Sequence, residues 1–253
     1  MLKKRIIPIQ LLLGGRLVKT VQFGTYRDVG DPVASSRVYN AQNADELCFV
    51  NIDRTSRTIE PMLSLLDRVS EVAFMPLALG GGIRDHGDAA RLIRHGADKV
   101  VMNSIAYADP SVLARVADEF GSQAVVASID VKRSGNGSWT LYSDCGRKLE
   151  PVSLADHVHA CVNSGAGEVL INSIDRDGMM NGYDLDLIRT VVGLTGVPVI
   201  GCGGAGHYNH MKDAFLGTGV SALACGSLFN FGDNNPIRAK AFLTNYGIPF
   251  KVI

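Results

Sequence analysis

Residues 44–56, ADELCFVNIDRTS, lie over residues 166–178, AGEVLINSIDRDG, at an offset of 122, with the tripeptide IDR at 52–54 and again at 174–176. The same offset brings PLALGGGI (76–83) onto PVIGCGGA (198–205), and an offset of 123 brings HGADKVVMNS (95–104) onto TGVSALACGS (218–227). A near-constant spacing over successive segments marks a repeated unit rather than glycine-rich loops that look alike by accident. Apolar strand-like runs at 5–11, 46–52, 73–79, 98–102, 124–130, 167–172, 197–202 and 221–225 alternate with segments of helical period at 59–71, 86–95, 110–119, 153–164, 184–194 and 207–216. Eight strands with helices between them predict an α/β fold, a single (β/α)8 barrel over residues 1–253 built from two duplicated half-barrels. No Pro/Gly/Ser-rich linker divides the chain. In the same register, at an offset of 119, RIIPIQLLL (5–13) lies over AVVASIDVK (124–132), so Leu11 stands opposite Asp130.

The composition is that of a globular protein. Hydrophobic residues make up 46% and charged residues 20%, enough to build a sizeable core. Lys plus Arg and Asp plus Glu are equal at 25 each, which leaves no electrostatic case for nucleic acid or an anionic membrane as partner. The five cysteines form no CxxC pair, and Cys48, Cys202 and Cys225 lie in apolar runs, so a reduced, cytoplasmic protein is expected. The opening MLKKR is basic like the start of a signal peptide, but the apolar run after it is short and carries Pro8 and Gln10. No apolar run reaches the roughly 18 residues of a membrane span.

In a (β/α)8 barrel the C-terminal ends of the strands carry the chemistry, because the loops there are free to vary. GGG at 80–82 and NS at 103–104 end two strands of the first half; GG at 203–204 and GS at 226–227 end their counterparts. Glycine lets backbone N–H groups approach an anion, and Ser and Asn add donors. Gly81, Gly82, Asn103 and Ser104 are therefore one candidate phosphate site, and Gly203, Gly204, Gly226 and Ser227 a second, suited to a ligand phosphorylated at both ends. Between them Asp130 is the best-placed general acid or base, with Asn51, Asp53, Asp177 and Gly178 as further pocket residues. Asp53 with Arg54, and Asp175 with Arg176, read as loop-holding ion pairs. Lys19 falls in LGGRLVKTVQFGTYRDVGDP, whose glycines at 14, 15, 24 and 30 suggest a mobile lid that could bring the lysine over a phosphate. The six histidines form neither a triad nor a metal-site spacing, and His157 and His159 read as a surface pair, so neither metal nor other cofactor is assigned.

At the other ends of the strands, Arg5, Glu46, Lys99 and Glu168 begin four of them. Pointing inward they would form a neutral ring across the N-terminal mouth; pointing elsewhere they are separate ion pairs.

The accumulated text, RIIP, LVKT, GDP, LGGGIRD, KVVMNS, SIDVKR, GAGE, NSIDRDG with GYD, and CGGAG, resembles the synthase (cyclase) subunit of imidazole glycerol phosphate synthase over almost the whole chain. The resemblance implies a barrel that docks by its N-terminal face on a glutaminase subunit and takes ammonia through its centre to a bisphosphate ribonucleotide. It implies that Arg5, Glu46, Lys99 and Glu168 gate the ammonia route, that Asp98 helps bind the partner, and that Lys19 is the lid lysine. It also implies catalytic aspartates at the ends of the first and fifth strands. The fifth-strand carboxylate is Asp130, but the first-strand position is Leu11, which can neither donate nor accept a proton, and Gln10 beside it points to the other side of the strand. Asn51 and Asp53 also replace a more usual aspartate and threonine, and Met179–Met180 replaces a polar pair. This departure resembles that of divergent paralogs which work beside a glutaminase to supply ammonia to a third protein, as in amidination of a surface-polysaccharide sugar. Two other readings stay open: an authentic lyase of histidine biosynthesis in which a group such as Asp53 replaces the missing carboxylate, and a phosphate-binding scaffold without an ammonia role.

Overall fold

The computed structural model describes residues 3–135 and 137–251, so Met1 and Leu2 of the basic opening lie outside the described residues. The strands are β1 (Arg5–Leu13), β2 (Arg16–Thr20), β3 (Tyr26–Gly30), β4 (Leu47–Asn51), β5 (Leu77–Gly80), β6 (Lys99–Met102), β7 (Val125–Arg133), β8 (Trp139–Ser143), β9 (Lys148–Glu150), β10 (Glu168–Ser173), β11 (Val199–Cys202) and β12 (Ala222–Cys225). Eight of them pair in parallel in the closed order β1, β4, β5, β6, β7, β10, β11, β12 and back to β1. This is the expected (β/α)8 barrel. The helices are α1 (Pro32–Ala41), α2 (Glu60–Val69), α3 (His86–Arg94), α4 (Ser104–Ala108), α5 (Ser111–Phe120), α6 (Leu154–Asn163), α7 (Leu185–Leu194), α8 (Tyr208–Thr218), α9 (Ser227–Asn230) and α10 (Pro236–Thr244). Asp31, Asp85, Ser153, Asp184 and Asn235 each cap a helix start by accepting a backbone N–H, which is why α1, α3, α6, α7 and α10 begin where they do. None of these helices is long and apolar enough to cross a membrane.

Side chains alternate across a strand, and this period of two sorts the barrel into layers. One face of the strands packs on the helices: Ile6, Leu47, Phe49, Leu79, Val100, Ile129 and Val169 lie in the main core. The other face fills the barrel with a second cluster in which small side chains abound: Ile7, Cys48, Ala78, Val101, Val126, Leu170, Ile200, Cys202, Ala222 and Ala224. Following the inward positions along a strand passes from charge to apolar filling to the upper mouth: Arg5, Ile7, Ile9, Leu11 on β1, and Glu168, Leu170, Asn172 on β10.

Two antiparallel hairpins depart from the expected pattern. The stretch expected to be a mobile lid is paired backbone: β1 runs past the barrel, turns at Gly14–Gly15 with φ of 56° and 76°, and returns as β2 with Leu11 opposite Val18 and Leu13 opposite Arg16. A two-residue glycine turn between apolar strands is a hairpin signal, and it outweighs the reading of these glycines as hinges. β3 then pairs with β2. A second ribbon, β8–β9, extends β7 in the same way, with Asp130 opposite Tyr142.

The halves keep their equivalence in detail. At Gly81 a Cβ would run into the Asn51 carbonyl, and at Gly203 into the Ser173 carbonyl, each partner 122 residues on. Gly81, Gly82, Gly203 and Gly204 have φ values of 88°, 79°, 92° and 103°. Both the left-handed backbone and the close approach of a neighbouring loop demand glycine, whatever the loop binds.

Candidate active site

The upper mouth is a cavity of about 700 Å3. Both candidate phosphate loops line it, Gly81–Gly82 with Asn103–Ser104 on one side and Gly203–Gly204 with Gly226–Ser227 on the other. Asn103 (φ −120°, ψ −80°) and Gly226 (φ −116°, ψ −71°) share one backbone conformation, each just before a short helix. Asn51, Asp53, Asp177, Gly178, Lys19, Asp130 and Leu11 line the same cavity, whereas Asp175 and Arg176 do not. Met179 and Met180 are not in its lining.

Asp130 is held from two sides. Asn103 Nδ2 donates to its Oδ2 at 3.0 Å, and Asn172 Nδ2 donates to its Oδ1 at 3.2 Å. Burial pushes its carboxyl up to about 7; the Asn172 hydrogen bond works in the opposite direction, and the nearby Asp177 charge adds a little. A carboxyl that titrates near neutrality can exchange a proton with a ligand in either direction. Asn172 has no counterpart in the sequence expectations, although it sits two positions beyond Leu170 and four beyond Glu168 on the inward face. The same periodicity could have found it.

Lys19 is on β2 rather than in an open lid, and its buried Nζ donates to the Ile9 carbonyl. Burial lowers its ammonium to about 8, against the attraction of Asp177. It also stands where a side chain at position 226 would be, so Gly226 leaves room for it. Asp177 accepts from Thr20 Oγ1 at 2.6 Å and from the Phe23 N–H at 3.3 Å, and burial raises its carboxyl despite these bonds. Gly178 follows with a φ of 69°, its α-carbon against the Thr20 backbone.

The IDR segments do not hold themselves together as internal ion pairs. Asp53 accepts from the Thr55 N–H at 2.8 Å and from Thr55 Oγ1 at 2.6 Å, which depress its carboxyl. Arg54 instead grips Asp144 in the β8–β9 turn, with Nε to Oδ1 at 2.9 Å and Nη2 on Oδ2. Asp175 accepts from the Arg133 N–H, and Arg176 donates to the Asn181 carbonyl. Residues close in sequence are drawn apart here because turn backbone N–H groups and the neighbouring hairpin offer nearer partners. The histidine pair is corrected in part: His159 is exposed, but His157 is buried, stacked on Tyr107 with ring centroids 3.8 Å apart.

At the N-terminal mouth the four strand-start charges form a closed ring. Arg5 bonds Glu46 and Glu168, both at 2.8 Å, and Lys99 bonds the same two carboxylates at 2.7 and 3.0 Å. Two cations and two anions, each touching both of the opposite sign, satisfy one another without a surplus charge. Beside the ring, exposed Asp98 accepts the Leu77 N–H at 2.8 Å and so also fixes the start of β5.

The histidine biosynthesis protein family model matches residues 5–235, spanning all eight barrel strands and both glycine loops. The chain belongs to the histidine biosynthesis protein family.

Proposed function

We infer that the chain is the cyclase-type barrel subunit of an imidazole glycerol phosphate synthase-like glutamine amidotransferase complex, taking ammonia from a glutaminase partner at its N-terminal face. In this reading Leu11 marks a paralog that passes ammonia to another acceptor, such as a third enzyme amidinating a surface-polysaccharide sugar. One arrangement carries the reading: on the inward positions of the same strands lie a closed ring of four charges, an apolar layer in which half the side chains are Ala or Cys, and a pocket where Asp130 faces no carboxylate at position 11. A small neutral molecule crosses an apolar layer at far lower cost than an ion does. Asp98 and Lys99 belong to the docking face, and the two glycine loops hold a phosphorylated ligand.

A second reading, an authentic cyclase of histidine biosynthesis, draws support from Asp130 near 7 and Lys19 near 8 in one cavity. Asp53 does not help it, since its carboxylate is committed to Thr55 and held below the usual range. A positioned acid or base contributes about 10²–10⁴-fold in rate. With ammonium salt and the histidine-pathway ribonucleotide, the unmodified chain is therefore expected to turn over little while still binding the ligand, and Leu11→Asp to recover part of the lost rate. Vigorous turnover by the unmodified chain returns it to histidine synthesis.

A further inference from the structure

The cavity is lopsided in charge, and the asymmetry runs against the duplication. Arg54, Arg57 and Arg84 of the first half line one side of it, joined there by Arg147 of the β8–β9 ribbon. At an offset of 122 the first three correspond to Arg176, which donates to the Asn181 carbonyl and is not in the lining, to Met179, and to Gly206; Arg147 comes from the β8–β9 ribbon that follows β7 in the second half, where the counterpart at an offset of 119 on the β2–β3 ribbon is Asp28. The cation lining the second-half side is Lys19.

The arginines on this side are built onto the phosphate loop itself. The Asp144 N–H donates to Ser104 Oγ at 3.2 Å, and its carboxylate takes Arg54 through both oxygens and Arg57 Nη2 at 3.1 Å. Arg57 Nε donates to the Arg54 carbonyl at 3.3 Å, and Thr58, the next residue, has its backbone packed against Gly82. Holding the hairpin requires only Arg54, which already occupies both Asp144 oxygens. Arg57 is surplus to that task, and Arg147, exposed in the same turn, forms no ion pair among the described residues. Arg84, by contrast, is neutralised by Asp88. Three guanidiniums stand against the carboxylates of Asp144 and, next to Arg54, Asp53, which leaves a net charge of +1 beside the Asn103–Ser104 loop.

We propose that Arg57 and Arg147 form a second anion subsite contiguous with the Gly81–Gly82 and Asn103–Ser104 loop, so that this end of the cavity takes a diphosphate while the opposite end takes a single phosphate. The guanidinium fork matches phosphate oxygens in pairs, and both arginines come from segments joined to the loop, Arg57 next to the Thr58 backbone packed on Gly82 and Arg147 in the turn whose Asp144 N–H bonds Ser104. The inference rests on the reading of the glycine loops as phosphate sites, and the experiment separates the two.

Titration calorimetry of the full chain at neutral pH and physiological salt compares inorganic phosphate, inorganic pyrophosphate and 2-phosphoglycolate, a phosphate joined to a carboxylate. Pyrophosphate is expected to bind at least about tenfold more tightly than phosphate, the factor that one charge-assisted pair supplies. In Arg57→Ala/Arg147→Ala that preference is expected to shrink to about twofold, with pyrophosphate losing more affinity than phosphate, and Arg57→Lys/Arg147→Lys to retain part of it. Both positions are exposed and Arg54 is left in place, so the hairpin keeps its anchor; an unchanged thermal unfolding midpoint checks this. Equal binding of phosphate and pyrophosphate, or a preference that survives the double alanine variant, overturns the subsite alone. 2-Phosphoglycolate binding as tightly as pyrophosphate overturns the diphosphate assignment. Binding of none of the three overturns the phosphate reading of the loops and this inference with it.

Discussion

Asp130 and Leu11 occupy matching positions in the two halves, and their surroundings explain why the carboxylate on one side is unusual. Two amide donors favour its ionised form, yet burial outweighs them and holds the carboxyl near 7. This has a consequence for stability. Between the ordinary carboxylate range and 7 the folded protein keeps a proton that the unfolded chain has released, so stability from this residue falls as pH rises through that window. Asp130→Asn removes the effect. Its melting temperature relative to the unmodified chain is expected to increase from pH 5 to about pH 7 and to level off above that, corresponding to a few kcal/mol at most, since each pH step of one within the window is worth roughly 1.4 kcal/mol. Calorimetric melts across that range check it; a difference that stays constant with pH shows that burial does not hold the proton on Asp130.

At the scale of elements, the β2–β3 hairpin is a clasp rather than a loose lid. Its tip, Gln22–Phe23, adopts left-handed backbone with φ of 52° and 59°, a conformation that costs energy for residues other than glycine. The tip is fastened to the loop after β10: the Gln22 N–H donates to the Asp177 carbonyl at 2.9 Å, Gln22 Nε2 to the Asp175 carbonyl at 3.0 Å, and Thr20 and Phe23 to the Asp177 carboxylate. Asp177→Ala removes the carboxylate bonds and leaves Lys19 without its nearest counter-charge. Bonds to a charged acceptor are worth about 1.5–3 kcal/mol, so hydrogen exchange of the amides at positions 22–25 is expected to speed up by about 10- to 100-fold, with the barrel strands unchanged. Uniform loss of protection across the molecule contradicts the clasp.

On the scale of the whole molecule, the barrel separates two mouths of different chemistry. The ring of Arg5, Glu46, Lys99 and Glu168 is at one end, and the cavity with its glycine loops is at the other, with the inner apolar cluster between them. Lys99→Ala leaves Glu46 and Glu168 with Arg5 alone. If the ring gates an ammonia route, this variant in complex with its glutaminase is expected to lose at least about tenfold more product formation driven by glutamine than by added ammonium, while phosphate affinity at the upper mouth stays within about twofold. Equal losses by both routes point to general destabilisation instead.

The repeat in 44–56 and 166–178 carried the barrel, its eight strands and the two glycine loops, because strand alternation and helix periodicity are local properties that a one-dimensional text records directly. Period two also put Arg5 and Leu11 on one face of their strand, but whether the strand-start charges point inward is decided only when the sheet closes. The partners were not legible in this way. That Lys99 touches both Glu46 and Glu168, that Asn103 and Asn172 close on Asp130, and that Arg54 leaves Asp53 for Asp144 depend on which strands become neighbours when the sheet closes. Barrel closure brings together residues 90 positions apart for Arg54 and Asp144 and 157 apart for Thr20 and Asp177. Such contacts, together with the burial that shifts Asp130 and Lys19 toward neutrality, are set by the low-dielectric interior of the assembled fold, which no local stretch of sequence contains.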